Sequence, residues 1–332
     1  MEISMSQTLP RIFDGEIEGP VAWKRADLRT EDWLLHLPQP ALDEISRVVD
    51  TLRRQAVPTL ALRPDSFAMP ACRAVMAKAS AMLRDGARIA LVRGMPMAEM
   101  SDEEGRAIFW MLSAMIARPV AQKLDGTIIY DVTDTGAKPL PGSGVRPDKS
   151  NIDLQFHNDN AYNALMPEVV GLLCIRPAVT GGLSRAMSFA TAHNALRRRH
   201  ADILPRLYLP FLLDRQREHR ADEPPVFQAP VFERHGDGVA ARLGLHQVRN
   251  GYAMSNIEMD APTRQAIAAV EEVFRDPDLQ TEFMMEAGDM QFAANREIGH
   301  SRTEFHDNAD PARKRLLIRL WLRDEGAPGY LG

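Results

Sequence analysis

The sequence predicts a mainly β fold with helices (α+β): a barrel or sandwich carrying helices on its outside. Three observations carry this expectation. The first 85 residues read mainly as helix, residues 133–152 are rich in turn formers, and many short β-like runs with irregular connections follow. Neither an internal repeat nor a low-complexity linker divides the 332 residues, so a single domain is expected over 1–332.

The elements follow in order. Leu42, Ile45, Val49 and Leu52 recur at helical spacing, and Ala71, Val75, Ala79 and Met82 repeat the pattern. Arg88 to Val92 reads as a short strand closed by Gly94. Ser101 with Glu104 forms a capping box ahead of a helix containing Ile108, Met111, Leu112 and Met115. Thr127 to Val132 is β-rich. The stretch 133–152 combines Gly, Pro and Asp and cannot be a regular element; it is the candidate lid of an active site. Strand candidates then run Leu154 to His157, Val169 to Ile175, Ala186 to Ala190, Ala240 to Leu245, Met290 to Ala294 and Leu316 to Leu322. Helical stretches near 191–200 and 261–275 interrupt them.

Composition excludes several classes. Hydrophobic residues make up 45% and charged residues 26%, the balance of a globular chain with a sizeable core. A net charge of −5 gives no electrostatic reason to expect nucleic acid. The runs Arg197-Arg198-Arg199 and Arg215 to Arg220 read as solvated faces. Cys72 and Cys174 lack CxxC spacing, which argues against a disulfide framework or thiolate zinc site and suits a reducing compartment. The first residues, MEISMSQTLPRIFDGEIEG, do not read as a secretory signal. No apolar run reaches the length of about 18 residues that a membrane helix needs. A soluble cytoplasmic protein with no nucleic-acid or membrane partner is therefore expected, with homo-oligomers left open.

The chemistry centres on Phe156-His157-Asn158-Asp159. On a strand, residues two apart share a face, so His157 and Asp159 would present an imidazole and a carboxylate side by side. Two histidines and one carboxylate on one side of a metal form the ligand set of non-haem Fe(II) oxygenases. An HxD triplet alone is weak, and a third ligand must come from elsewhere. Of nine histidines, His36, His219 and His235 lie in polar or irregular stretches, and His193 and His200 fall on a helix where solvent exposure is expected. His246, His300 and His306 remain. His300 is preferred because it follows the β-like Gly288 to Phe292 and precedes an arginine-rich strand.

That last strand alternates. Leu316, Ile318, Leu320 and Leu322 make an aliphatic face; Arg315, Leu317, Arg319, Trp321 and Arg323 make the other. A solvent-facing edge strand would satisfy this pattern. Arginines pointing into a barrel would instead need an anionic partner, which a dicarboxylate cosubstrate supplies.

With these residues in place, the chain resembles the taurine dioxygenase and 2,4-dichlorophenoxyacetate dioxygenase (TauD/TfdA) family of Fe(II)/2-oxoglutarate enzymes. The resemblance runs from GPVAW at 19–23 through LVRGMP at 91–96 to RLWLR at 319–323. Its most specific parts are FHND at 156–159, GLLCIRPAVTGGLS at 171–184 and GDMQFAANREIGHSRTEF at 288–305. The resemblance implies a double-stranded β-helix, the cupin-like jelly roll. It implies iron ligation by His157, Asp159 and His300, Arg315 and Ser184 at the distal carboxylate of 2-oxoglutarate, and Arg319 near the iron-side carboxylate and the substrate. Fe(II), 2-oxoglutarate and O2 are then used to oxidise a C–H bond of a small molecule. Asn158 and Ser184 stand where threonine is commoner; neither removes a required group, but Asn158 makes the substrate pocket unfamiliar. Asn158, Asn160, Tyr162 and Asn163, with the 133–152 loop, are the candidate substrate contacts.

Three other readings compete: a metal-dependent cupin-type enzyme that does not use 2-oxoglutarate, a noncatalytic binding or regulatory protein on the same scaffold, and a halogenase. The paired arginines oppose the first and the complete ligand set opposes the second. Asp159 opposes the third, which would leave that iron position free.

Overall fold

A computed structural model of the chain describes residues 11–138, 140 and 143–331. The strands that build the barrel, in chain order, are β1 (Leu34–His36), β2 (Ile89–Arg93), β3 (Pro119–Val120), β4 (Tyr130–Val132), β5 (Leu154–His157) and β6 (Val169–Arg176). After these come β7 (Ser184–Ser188), β8 (Gln280–Phe283), β9 (Met290–Ala294), β10 (Ile298–Arg302) and β11 (Leu316–Leu322). The large sheet runs β1-β2-β9-β6-β11-β3, with β4 also against β11; the small sheet runs β8-β7-β10-β5. The two sheets form the jelly roll that the resemblance implies.

The helices are α1 (Gln39–Arg54), α2 (Pro70–Asp85), α3 (Asp102–Ser113), α4 (Phe189–Arg199), α5 (Leu245–Met254) and α6 (Ala261–Phe274). Glu44 of α1 is buried, and its two carboxylate oxygens accept the Ala71 and Cys72 amides, each at 2.9 Å. An anion at the first turn of α2 meets amides that have no intrahelical partner, so one side chain both caps α2 and locks the helix pair. Ser101 and Glu104 make the expected capping box: Ser101 Oγ accepts the Glu104 amide at 3.2 Å, and Glu104 accepts the Ser101 amide at 2.8 Å.

These three helices cover the outer face of the large sheet. Leu316, Ile318, Leu320 and Leu322 of β11 join Phe109 and Leu112 of α3 in that core, so the aliphatic face of the alternating strand is where the pattern put it. A second core lies beyond the small sheet, where Phe189 and Leu196 of α4 meet Ile267 and Phe274 of α6. Between the sheets sits a smaller cluster that includes Leu91, Ala186, Ile298 and Leu317. The order of layers is helices, large sheet, barrel interior, small sheet, helices.

Several expectations need correction. The first 85 residues hold two helices, but Leu34–His36 is a strand parallel to β2 and nothing between 11 and 33 is α-helical. Apolar runs do not distinguish a strand from a helix start. Ala186 to Ala190 divides at Ser188, whose hydroxyl accepts the Thr191 amide and starts α4. Ala240 to Leu245 divides at Gly244, the residue ahead of α5. The strand carrying His300, β10, has no clear signal in the sequence because Gly299, Ser301 and Arg302 interrupt its apolar alternation.

Candidate metal centre

His157 is the last residue of β5, and its Nδ1 lies 2.9 Å from the Gln155 carbonyl. A carbonyl only accepts, so Nδ1 carries the proton and Nε2 is left with its lone pair free. The strand stops there. Asp159 is therefore not a strand neighbour of His157, contrary to the two-residue alternation; it lies in the turn that follows. Asn158 makes that turn. Its amide donates to the Ala241 and Asn295 carbonyls at 2.7 and 2.9 Å, its Oδ1 accepts the Leu243 amide at 2.7 Å, and its own amide donates to the Leu243 carbonyl. Asn295, fully buried, accepts the Asp159 amide and donates to the Asp159 carbonyl, both at 2.9 Å.

The Asp159 carboxylate divides its oxygens between two tasks. Oδ1 lies 3.6 Å from Nε2 of His157 and 3.6 Å from Nε2 of His300. Oδ2 accepts the Trp321 indole N–H at 2.6 Å and faces Arg319 Nη1 at 3.2 Å. Burial opposes the charge of Asp159, but the Arg319 guanidinium favours it, and its carboxyl stays well below the usual range. Burial, with His157 alongside, lowers the His300 pKa despite Asp159. An ionised carboxylate and neutral imidazoles are the protonation states that a metal requires.

His300 reaches the site from β10, where it pairs with His157 across the small sheet. Ligand atoms of His157, Asp159 and His300 all lie within 4.8 Å of one another, and no other group of this kind occurs among the described residues. Two nitrogens and one carboxylate oxygen converging on one point fit a divalent iron with positions left for exogenous ligands. The other candidates do not join this group. His306 is exposed on a two-residue bridge strand, and His246 Nε2 faces Asn250. His193, expected in solvent, is fully buried with Nε2 at 2.8 Å from the Tyr208 hydroxyl. Arg215 of the supposedly solvated run is likewise buried, ion-paired with Glu223.

Two cavities open from the triad. The larger, about 350 Å³, has Tyr162, His246, Gln247 and Trp321 in its wall. The smaller, about 50 Å³, is lined by Ser184, His300, Arg302 and Arg315. His157, Asp148 and Arg319 border both. Arg319 donates to Gln122 Oε1 at 2.7 Å and to Asp148 Oδ2 at 2.8 Å, besides facing Asp159. Arg315 is 5% exposed, its Nη1 has no partner, and it makes no ion pair among the described residues. Burial lowers its pKa to about 10, still protonated at neutral pH. A desolvated guanidinium without a counter-ion is the signature of a site for an anion that the chain does not itself provide.

The structure thus brings His157, Asp159, His300, Ser184, Arg315 and Arg319 together. Arg323, on the same strand face, instead grips the Glu325, Ala327 and Gly329 carbonyls. The side chains of Asn158 and Asn160 are engaged within the protein; Asn160 donates to the Leu165 carbonyl and accepts from the Tyr330 hydroxyl. Tyr162 is buried in the cavity wall. Residues 139, 141 and 142 of the candidate lid lie outside the described residues. Arg146, Asp148 and Ser150 of the same stretch are buried, Asp148 pairs with Arg319, and Arg146 and Asp148 line the larger cavity. Sequence reasoning does not assign Asn295, Trp321 or Asp148 to the site. The alternation of β11 does put Trp321 on the Arg319 face, but nothing local in the sequence points to the other two.

The description "Taurine catabolism dioxygenase TauD, TfdA family" matches residues 61–321. The chain is 25% identical over 320 residues to FR-33289 synthase of Streptomyces rubellomurinus, covering 95% of this chain and 92% of that protein. Among solved structures, asparagine oxygenase in complex with Fe(II), 2S,3S-3-hydroxyasparagine and succinate superposes with a TM-score of 0.66 at 19% identity, covering 88% of this chain and 94% of that one. The non-heme iron oxygenase OrfP with Fe and alpha-ketoglutaric acid gives 0.62 at 14% identity, with 88% and 94% coverage. At such identities the structural likenesses speak to the fold.

Proposed function

The chain belongs to the TauD/TfdA dioxygenase family, and from that premise we propose that His157, Asp159 and His300 hold Fe(II) while Arg315 and Ser184 receive the distal carboxylate of 2-oxoglutarate. The protein is a 2-oxoglutarate-dependent dioxygenase acting on a small molecule. When bound, iron and 2-oxoglutarate supply the oxidative chemistry: 2-oxoglutarate and O2 give succinate and CO2 as one substrate C–H bond is hydroxylated. The observation that carries the assignment of residues is the division of Asp159, with Oδ1 turned to both imidazoles and Oδ2 held by Trp321 and Arg319.

The protein's part is to hold and to orient. Gln155 fixes the His157 tautomer. Trp321 and Arg319 keep Oδ2 away from the metal position, so Asp159 offers one oxygen. Arg315 neutralises the far end of the cosubstrate in a site that excludes water, and such charge pairing is strong when both partners are desolvated. Arg319, bounded by Asp148 and Asp159, stands between the cosubstrate cavity and the larger one. The larger cavity takes a polar molecule of small size, held among Gln155, Gln216, His246 and Gln247 beside Phe156 and Leu245. The 2S,3S-3-hydroxyasparagine named for one structural neighbour supports that scale.

The test is a substrate screen with Fe(II), ascorbate and 2-oxoglutarate, reading succinate and substrate mass together. Succinate formed in step with a mass gain of one oxygen is the expected result. A protein that binds iron but gives no succinate, and shows no 2-oxoglutarate-dependent visible band without oxygen, would overturn the assignment.

A further inference from the structure

The small cavity contains a second arginine. Arg302 lies two residues beyond His300 on β10, so both side chains leave the same face of the strand and border that cavity. Its register partners are Ser184 on β7 and Leu154 on β5, which places it beside the hydroxyl assigned to the cosubstrate. Arg302 and Arg315 approach one aromatic ring, that of Phe305, with guanidinium carbons 4.4 and 5.0 Å from its centre. Both side chains are at least nine-tenths buried, and neither lies within ion-pair distance of a carboxylate among the described residues; Asp148 and Asp153 act on Arg302, and Asp307 on Arg315, only from farther away.

Hydrogen bonding at Arg302 does not neutralise it. Nη1 donates to the Ser150 carbonyl at 3.1 Å, Nη2 donates to the Ile152 carbonyl, and Nε has no partner. Carbonyls orient a guanidinium but leave its full positive charge in place. Two buried cations side by side repel each other, and in a medium of low polarisability an anion between them relieves both. A clamp on the Ser150 and Ile152 carbonyls alone requires donors, not a permanent charge, and a neutral amide would serve.

We propose that Arg302 is a second cation of the cosubstrate cavity, adding charge to the recognition of the distal carboxylate that Arg315 grips directly. This rests on the reading of the small cavity as the 2-oxoglutarate site. Arg302 is then a specificity-determining residue: it raises the preference for a 2-oxo acid with an ionised far end over one with a neutral far end.

The experiment titrates the anaerobic Fe(II) protein with 2-oxoglutarate and with 2-oxopentanoate, which keeps the chelating end but ends in a methyl group. Binding is followed by the visible band of the chelate, so no turnover is needed. Arg302→Gln should weaken 2-oxoglutarate by about tenfold, the size of one charge interaction at a partly screened buried distance. 2-Oxopentanoate should change by less than about twofold, since its far end is uncharged. Arg302→Lys should restore most of the preference. Equal weakening of both ligands in Arg302→Gln, or no change in either, overturns the proposal and leaves Arg302 a loop clamp. Arg315→Ala gives an independent check that does not require the Arg302 variants to fold. Residual preference for 2-oxoglutarate should survive in it, and complete loss of preference counts against Arg302. A wild-type protein without any preference for the dicarboxylate overturns the underlying reading of the cavity instead.

Discussion

The indole N–H of Trp321 donates to Oδ2 of Asp159 at 2.6 Å, the shortest of the contacts that fix this carboxylate. Partners of this kind, one shell out from the metal, set ligand orientation, and their loss commonly costs 10–100-fold in metal affinity. Trp321→Phe keeps an aromatic ring in the buried position but removes the donor together with the pyrrole part of the indole. Fe(II) or Co(II) titration should therefore show affinity weakened by about tenfold, with the fold intact by circular dichroism. An unchanged metal affinity would mean that Arg319 alone orients Asp159.

Arg315→Ala should spare metal binding and damage 2-oxoglutarate binding. Breaking a buried charge pair by removing one partner costs roughly 3–5 kcal/mol, and each 1.4 kcal/mol is about tenfold, so a loss of two orders of magnitude or more is expected. Arg315→Lys should recover part of it, because an ammonium keeps the charge and loses the planar fork. The measurement is anaerobic titration of the Fe(II) form. A wild-type dissociation constant for Arg315→Ala would remove it from the site.

Asn158 separates a scaffold role from a substrate role. Its side chain meets three backbone groups, the Leu243 amide and the Ala241 and Asn295 carbonyls, all in buried surroundings. Leaving a buried polar group unsatisfied costs about 1–3 kcal/mol, so Asn158→Ala should lose about 3 kcal/mol or more in urea unfolding. A variant of unchanged stability with a raised KM for substrate would return Asn158 to the list of substrate contacts.

His193 should make the protein sensitive to acid at a place remote from the metal. Burial lowers its pKa to about 4, with Arg197 adding to the effect. The unfolded chain takes up its proton near pH 6.5, above the folded value, so the unfolded state binds more protons between these limits. Stability is fully present above about pH 6.5, falls as pH drops toward 4, and levels below that. The loss from this residue between pH 7 and 4.5 should be about 2–3 kcal/mol. His193→Gln should lower stability at pH 7 through loss of the Tyr208 contact but flatten this part of the pH profile. Parallel profiles for the two proteins would show that other groups control the acid response.

Local sequence determined the elements whose signals are short in range. The capping box at Ser101 and Glu104, the helices at 39–54 and 70–85, and the strand at 316–322 follow from periodicity and cap chemistry, which act over a turn or a few residues. The motif at 156–159 named two of the proposed ligands, and the family resemblance agreed with the local choice of His300. What the chain could not state locally is how those groups meet. Asp159 is brought to His157 by a turn that Asn158 and Asn295 hold, with Asn295 lying 136 residues away. His300 faces His157 only because β10 pairs with β5 in one register, and a slip of one residue would turn its side chain to the opposite face of the sheet. The burial that leaves Arg302 and Arg315 charged, with no ion pair among the described residues, arises where strands from distant parts of the chain close the barrel. Hydrophobic spacing and caps are properties of a segment; desolvation and convergence belong to the packed whole, and only tertiary structure decides them.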